Sequence, residues 1–189
     1  MTVETFSSFF ALLALLSMAG AAAIAVGALV WRTRRPAWLE QLRDEVGRAA
    51  LWLAWAVATV TTLGSLYYSK VENYLPCELC WYQRIAVYPF AVILAIAAFR
   101  RDAAIRVYAV PVLAIGAAIA VYHTWIQAYP PDSGTAFCSA DAPCTARYVW
   151  EFGFVSLPFM ALSAFLVMIA LLFVARPTPL ASPDPGGAP

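Results

Sequence analysis

Cys77 and Cys80 stand three residues apart in the run Leu-Pro-Cys-Glu-Leu-Cys-Trp-Tyr-Gln-Arg, which extends from Leu75 to Arg84. That spacing puts two sulfurs on one helical turn, where they can close a disulfide or hold a soft metal. Pro76 favours the first turn of a helix, and Ile85 to Phe99 continues without a charge. The thiols are therefore expected at a helix N-terminus, whose partial positive charge favours thiolate. Arg84, four residues after Cys80, falls on the same helix face. A fixed cation there lowers a thiol pKa and equally suits the oxygen of an electron acceptor at the bilayer edge. A second pair, Cys138 and Cys144, follows later with five residues between them. Two close pairs suit two disulfides in an oxidising compartment or a redox relay.

The elements that must position these cysteines are membrane spans. Of 189 residues 63% are hydrophobic and 12% charged, with a mean hydropathy of +0.74; no soluble core absorbs that balance. The net charge of +1 gives no footing for nucleic acid. Phe6 to Trp31 is an uncharged run longer than the roughly 20 residues a spanning helix needs. A cleaved signal peptide needs basic residues ahead of its apolar stretch, whereas only Glu4 precedes this one. Trp31 to Arg48, rich in arginine and carboxylates, reads as a cytoplasmic loop with room for a short surface helix. Ala50 to Ser69 is the second span, ending in the interfacial pair Tyr67 and Tyr68. Ile85 to Phe99 becomes long enough if its helix starts near Cys77, and Pro89 is expected to kink it. A tight turn around Asp102 leads to a fourth run from Val107 to Tyr122, followed by an interfacial edge of His123, Trp125, Gln127 and Tyr129. Pro130 to Glu151 has the composition of a long soluble loop. Phe152 to Ala175 is the fifth run, with Pro158 one turn inside, and the tail from Arg176 reads as disordered.

Alternation through five spans places the N-terminus outside and the tail inside. Nine of the twelve basic residues (Arg32, Arg34, Arg35, Arg43, Arg48, Arg100, Arg101, Arg106 and Arg176) then lie inside, against Lys70, Arg84 and Arg147 outside. Both cysteine pairs share the outer face, one of them against the bilayer, which is the layout of a route for electrons into the membrane. Zinc suits this set poorly, because the four thiols face an oxidising space and the second pair is not a CxxC.

Pro-Cys-Glu-Leu-Cys-Trp-Tyr-Gln-Arg-Ile from Pro76, Tyr88-Pro89, Pro143-Cys144, Phe152-Gly153-Phe154 and Leu157-Pro158-Phe159 together resemble the DsbB family of disulfide bond formation proteins, most closely its BdbC-type branch. The resemblance covers about residues 50 to 175. It implies an all-α membrane protein, a four-helix transmembrane bundle that works as a thiol:quinone oxidoreductase in the bacterial cytoplasmic membrane. Its partner would be a thioredoxin-like extracytoplasmic oxidant of the DsbA/BdbD type, and its cofactor a quinone, ubiquinone or menaquinone. By the same resemblance Cys77 and Cys80 match the membrane-proximal pair, Cys138 and Cys144 match the partner-facing loop pair with Cys138 as the sulfur attacked, and Arg84 matches the arginine associated with quinone. The chain departs from the pattern in its additional N-terminal helix, so that residues 1–49 precede a bundle of residues 50–175 and a cytoplasmic tail of residues 176–189.

The residues around the CxxC suggest a binding place for the flat acceptor among Trp81, Tyr82 and Tyr122, with carbonyl oxygens held by Arg84 and His123. Each has a plainer reading as well: Arg84 as a snorkelling interfacial cation, His123 as an interfacial hydrogen-bonding residue, the aromatics as a membrane belt. Two other functions stay open. A vitamin K epoxide reductase-like enzyme has its loop cysteines ahead of the CxxC, an order opposite to this one. A non-catalytic membrane protein with structural disulfides leaves the CxxC and Arg84 at the head of a span without a purpose.

Overall fold

The computed structural model of the chain describes residues 3–131, 138–139 and 141–176. Its helices are α1 (Val3–Arg34), α2 (Ala37–Lys70), α3 (Glu78–Val87), α4 (Phe90–Arg100), α5 (Arg106–Ala128) and α6 (Leu157–Val174), with a short 3-10 turn at Ala103–Ile105 before α5. Taking α3 and α4 as one span, 5 helices among the described residues are long and apolar enough to cross a membrane. Among the described residues there is no strand, only an isolated antiparallel bridge between Glu151 and Val155. The protein is an all-α membrane bundle of four spans with α1 added in front.

α6 is apolar on every side, as a helix at the centre of a bundle must be, and it packs against α1, α2 and α5. Phe165, Met168 and Leu172 on α6 are fully buried together with Leu94 and Leu113. Lipid supplies no hydrophobic drive between helices, so close backbone approach has to hold them. Small residues permit it: α1 buries Ser7, Ala11, Ala14 and Ala21, and α2 buries Ala50, Ala54 and Ala58. Gly116 is the tightest point, since a Cβ there would stand 2.5 Å from Phe165 Cζ and 3.0 Å from Ala86 Cβ, where α3, α5 and α6 meet.

Three local expectations are corrected. Trp31 to Arg48 is not a loop: α1 continues to Arg34 and α2 starts at Ala37, with only Arg35 (φ 41°) and Pro36 between them. Pro36 is the one proline in that stretch. Beyond it the charged residues are good helix formers that leave Leu39 and Gly47 facing the core. Phe152 to Ser156 does not belong to the last span. Glu151 and Val155 exchange backbone bonds of 2.9 and 2.8 Å across Phe152 and Gly153, both at positive φ, so α6 begins at Leu157 with Pro158 in its first turn. The fourth span runs past Tyr122 to Ala128, taking His123, Trp125 and Gln127 into the helix. Pro89, lacking an N–H, separates α3 from α4, yet Tyr88 and Pro89 keep helical dihedrals and the span stays continuous. The turn after α4 is tight, with Arg101 left-handed at φ 54° and the Asp102 carboxylate accepting from the Ala104 N–H at 2.9 Å. Pro177 to Pro189, nearly all of the tail expected to be disordered, lies outside the described residues, as do Asp132 to Phe137 and Ala140 of the long loop.

The alternation of the chain brings all four cysteines to one end, at the start of α3 and beyond the end of α5. The nine arginines grouped by sequence lie toward the other. There Arg43 and Arg35 stack on Trp31 at 4.2 and 4.9 Å, and Arg176 pairs with Asp44 at 2.5 Å.

Candidate active site

The segment between α2 and α3 delivers Cys77 as the N-cap of α3. Its side chain makes no capping bond, so the sulfur is free for chemistry, and it sits 3.0 Å from Cys80 Sγ. Cys77 is buried and Cys80 half-buried, and both are free thiols. The hydrogen bond with the Cys80 thiol holds the Cys77 thiol well below the ordinary thiol range; burial opposes this, and His123 on its other side reinforces it.

His123, on α5, is 1% exposed, and its partners fix its tautomer. The Cys144 carbonyl can only accept, so His123 Nε2 carries the proton and donates to it at 3.1 Å. Nδ1 then accepts from the Gln83 amide at 3.1 Å. The same Nε2 lies 3.7 Å from Cys77 Sγ.

Cys138 and Cys144 are joined as a disulfide. Cys144 is 1% exposed and packs in one cluster with Cys77, Leu79 and Ile126. Its Sγ, Cys77 Sγ and a His123 ring nitrogen all lie within 4.8 Å of one another. With Cys144 held in a disulfide only two of these donors remain, short of the three or four that zinc takes. The chain after Cys144 is clamped to the end of α5. Arg147 Nε donates to the Gln127 carbonyl at 2.8 Å, and the Gln127 amide donates to the Ala146 carbonyl at 2.9 Å. Arg147 thereby serves a helix end whose carbonyls have no partner within the helix, and its guanidinium lies 4.0 Å over the Trp150 ring.

Arg84 faces the other way, toward α2. Its Nε donates to Ser65 Oγ at 3.0 Å and its Nη2 to the Ser65 carbonyl at 3.2 Å, while the Tyr88 hydroxyl donates to the same Oγ at 3.0 Å. No bond of Nη1 is found among the described residues. Beside it opens a cavity of about 280 Å³, with Cys80, Gln83, Arg84, Ser65 and Tyr68 among its lining and an otherwise largely apolar wall from α1, α2 and α6. A smaller crevice of about 20 Å³ is bordered by Cys77, His123, Cys144 and again Cys80. Cys80 is the cysteine common to both.

The structure thus brings the four cysteines together and places Cys80 and Arg84 on one cavity. His123 lies on the cysteine crevice and does not line the larger cavity. Trp81, Tyr82 and Tyr122 are exposed and line neither space; among the described residues they form no aromatic cradle at this site, and Trp81 is an exposed ring 5.3 Å from the Arg84 guanidinium. Ser65 and Tyr68 were missed by sequence reasoning. Their signal was a hydroxyl within about one turn of the end of the span, which also fits an interfacial residue, the reading given to Tyr68 from the sequence.

The family description "Disulfide bond formation protein DsbB" matches residues 47–175, leaving α1 outside. The chain is 43% identical over 126 residues to disulfide bond formation protein C of Bacillus subtilis (strain 168), covering 67% of this chain and 91% of that one. It is 41% identical over 132 residues to probable disulfide formation protein C 1 of Bacillus anthracis, covering 70% and 95%. A probable disulfide formation protein of Coxiella burnetii (strain Dugway 5J108-111) is 39% identical over 127 residues, covering 67% and 86%. No solved structure matches significantly. With its match spanning the whole bundle that carries the cysteines, the chain belongs to the DsbB family of disulfide bond formation proteins, on the BdbC-like branch, and is a multi-pass membrane disulfide oxidoreductase.

Proposed function

We propose that the chain reoxidises a thioredoxin-like partner of the DsbA/BdbD type and passes its electrons through Cys138/Cys144 and Cys77/Cys80 to a membrane quinone, ubiquinone or menaquinone. One observation supports this most: an unbroken path of sulfurs. Cys138 is bonded to Cys144, Cys144 Sγ is within 4.8 Å of Cys77 Sγ, Cys77 is 3.0 Å from Cys80, and Cys80 borders the larger cavity beside Arg84.

The steps follow thiol–disulfide exchange. A partner thiolate attacks Cys138 Sγ, breaking the Cys138–Cys144 bond; a mixed disulfide forms and Cys144 leaves as thiolate. Cys144 attacks Cys77 in a Cys77–Cys80 disulfide, forming Cys77–Cys144 and releasing Cys80 beside Arg84. The second partner thiol displaces Cys138, and the partner departs oxidised. Cys138 then attacks Cys144, remaking the loop disulfide and freeing Cys77. The arrangement described above, with the loop pair joined and Cys77 and Cys80 as thiols, corresponds to this charged state. Closing the Cys77–Cys80 disulfide gives up two electrons and two protons. A quinone supplies the acceptor for both. The cavity fits such a head group by size, lying near the roughly 300 Å³ lower end of ligand pockets, and by chemistry, having the Arg84 fork and Cys80 among an otherwise mainly apolar lining. Gln83 lines this cavity as well. His123, expected at the acceptor, is proposed instead as a positioning residue that steadies the exchanging sulfurs of Cys77 and Cys144.

The cysteine end faces the extracytoplasmic side of a bacterial cytoplasmic membrane in this reading, with the arginine-rich end and the C-terminus in the cytoplasm and the N-terminus outside. Residues 50–175 are the working bundle. The test is thiol alkylation in cells with and without quinone synthesis. Cys77 and Cys80 should become reduced when quinone is absent; four cysteines that stay oxidised in both would mark structural bridges and refute the relay.

A further inference from the structure

The larger cavity is not closed by the family-matched bundle alone. α2, α3 and α6 supply three sides, and α1 supplies the fourth through Phe10, Leu13, Ala14 and Ser17. We infer that α1 is a functional wall of the acceptor site, shutting the quinone head group off from lipid and setting how tightly it is held. This rests on the quinone reading of that cavity.

The placement of α1 is specific. Its small face, Ser7, Ala11, Ala14 and Ala21, is buried, and its main packing partner is α6. Phe10, Leu13 and Ser17, at i, i+3 and i+7, share the adjoining stripe of the helix and reach the cavity. Phe10 lies on Gly64, where a Cβ would stand 2.8 Å from its Cε1. Gly64 immediately precedes Ser65, the residue that anchors Arg84, so the ring borders the polar end of the cavity. The height of α1 is fixed by polar contacts: the Tyr68 hydroxyl donates to Ser7 Oγ at 3.1 Å in a buried bond, and Ser8 Oγ donates to Glu151 Oε2 at 3.1 Å in a half-buried one. Phe6 stacks on Tyr67 at 4.0 Å. A helix needed only as an anchor requires none of this registration beside Cys80 and Arg84. Without α1, Ser65 and Arg84 would meet lipid along the gap between α2 and α6.

The test uses the purified full-length protein with saturating reduced thioredoxin-like partner and ubiquinone-1 as probe. Ser17→Phe fills the cavity and should raise the KM for ubiquinone-1 by about tenfold or more, the scale of overpacking a filled space. Phe10→Ala removes the wall beside Gly64 and should raise it severalfold. Leu16→Phe, on the lipid face at 69% exposure, should keep the wild-type KM. Single-turnover oxidation of the partner without quinone reports the relay alone and should be unchanged in all three, which also shows that each is folded. Wild-type KM in both Ser17→Phe and Phe10→Ala, with Arg84→Lys still impaired, would overturn the wall while sparing the quinone reading. Wild-type KM in Arg84→Lys as well would remove both.

Discussion

Arg84→Lys separates an acceptor-binding arginine from one that only reaches toward water. The guanidinium gives Nε and Nη2 to Ser65, no bond of Nη1 is found among the described residues, and Arg84 lines the cavity. Lysine keeps the charge but has one nitrogen at the end of a flexible stem. It must either hold Ser65 or turn to the acceptor. Losing one charged hydrogen bond costs about 1.5 to 3 kcal/mol, which is roughly a 10- to 150-fold rise in quinone KM. Turnover at saturating quinone should fall less, and single-turnover oxidation of the partner should not change, because that chemistry lies at Cys138 and Cys144. Quinone-reduction kinetics over a range of ubiquinone-1 concentrations read both quantities. A snorkelling arginine predicts the reverse, since lysine snorkels equally well; a wild-type KM would take Arg84 out of the acceptor site and refute the reasoning.

His123→Phe should remove the Nε2–H that favours the Cys77 thiolate. Because the Cys77 pKa is lowered, thiolate is present at neutral pH and is lost only as pH falls through the lowered value; in His123→Phe the loss should begin at higher pH. Iodoacetamide labelling rates against pH check this, and superimposable profiles would dismiss the histidine. Gly116→Val should destabilise by about 1 to 3 kcal/mol or more through overpacking against Phe165 and Ala86, seen as a lower Tm in detergent, whereas an unchanged Tm would mean that α5 and α6 can part without cost. In a cysteine-free background, Asn73→Cys should react with an impermeant maleimide in intact cells and Thr33→Cys should not; the opposite pattern inverts the orientation.

Much of this was legible from the residues because the strongest signals were local. A CxxC after Pro76 and before an uncharged run defines a helix mouth, Pro89 marks its own break, and the uneven arginines follow one physical rule. What escaped depends on neighbours distant in sequence. The charges of Arg43 to Arg48 look alike in a loop and in an exposed helical extension, and only packing of Leu39 and Gly47 distinguishes them. Phe152 to Val155 is apolar enough to join a span, but its two positive-φ residues close a turn that hydropathy does not register. His123 could be placed at the interface but not assigned to the cysteine side, since that depends on Gln83 and the Cys144 carbonyl converging on it. Ser65 gave no sign of anchoring Arg84, and the cavity wall provided by α1 has no counterpart in spacing or composition.

The central claim is that electrons cross from loop to membrane through Cys144 and Cys77. Two double variants test it: Cys80→Ser with Cys138→Ser, which retains Cys77 and Cys144, and Cys80→Ser with Cys144→Ser, which retains Cys77 and Cys138. The measurement is the rate of disulfide closure on adding diamide, followed by non-reducing peptide mapping. The account predicts that Cys77–Cys144 closes at least about tenfold faster, as pre-positioned reactants do. Equal rates, or a Cys77 and Cys144 that stay alkylatable, would contradict it.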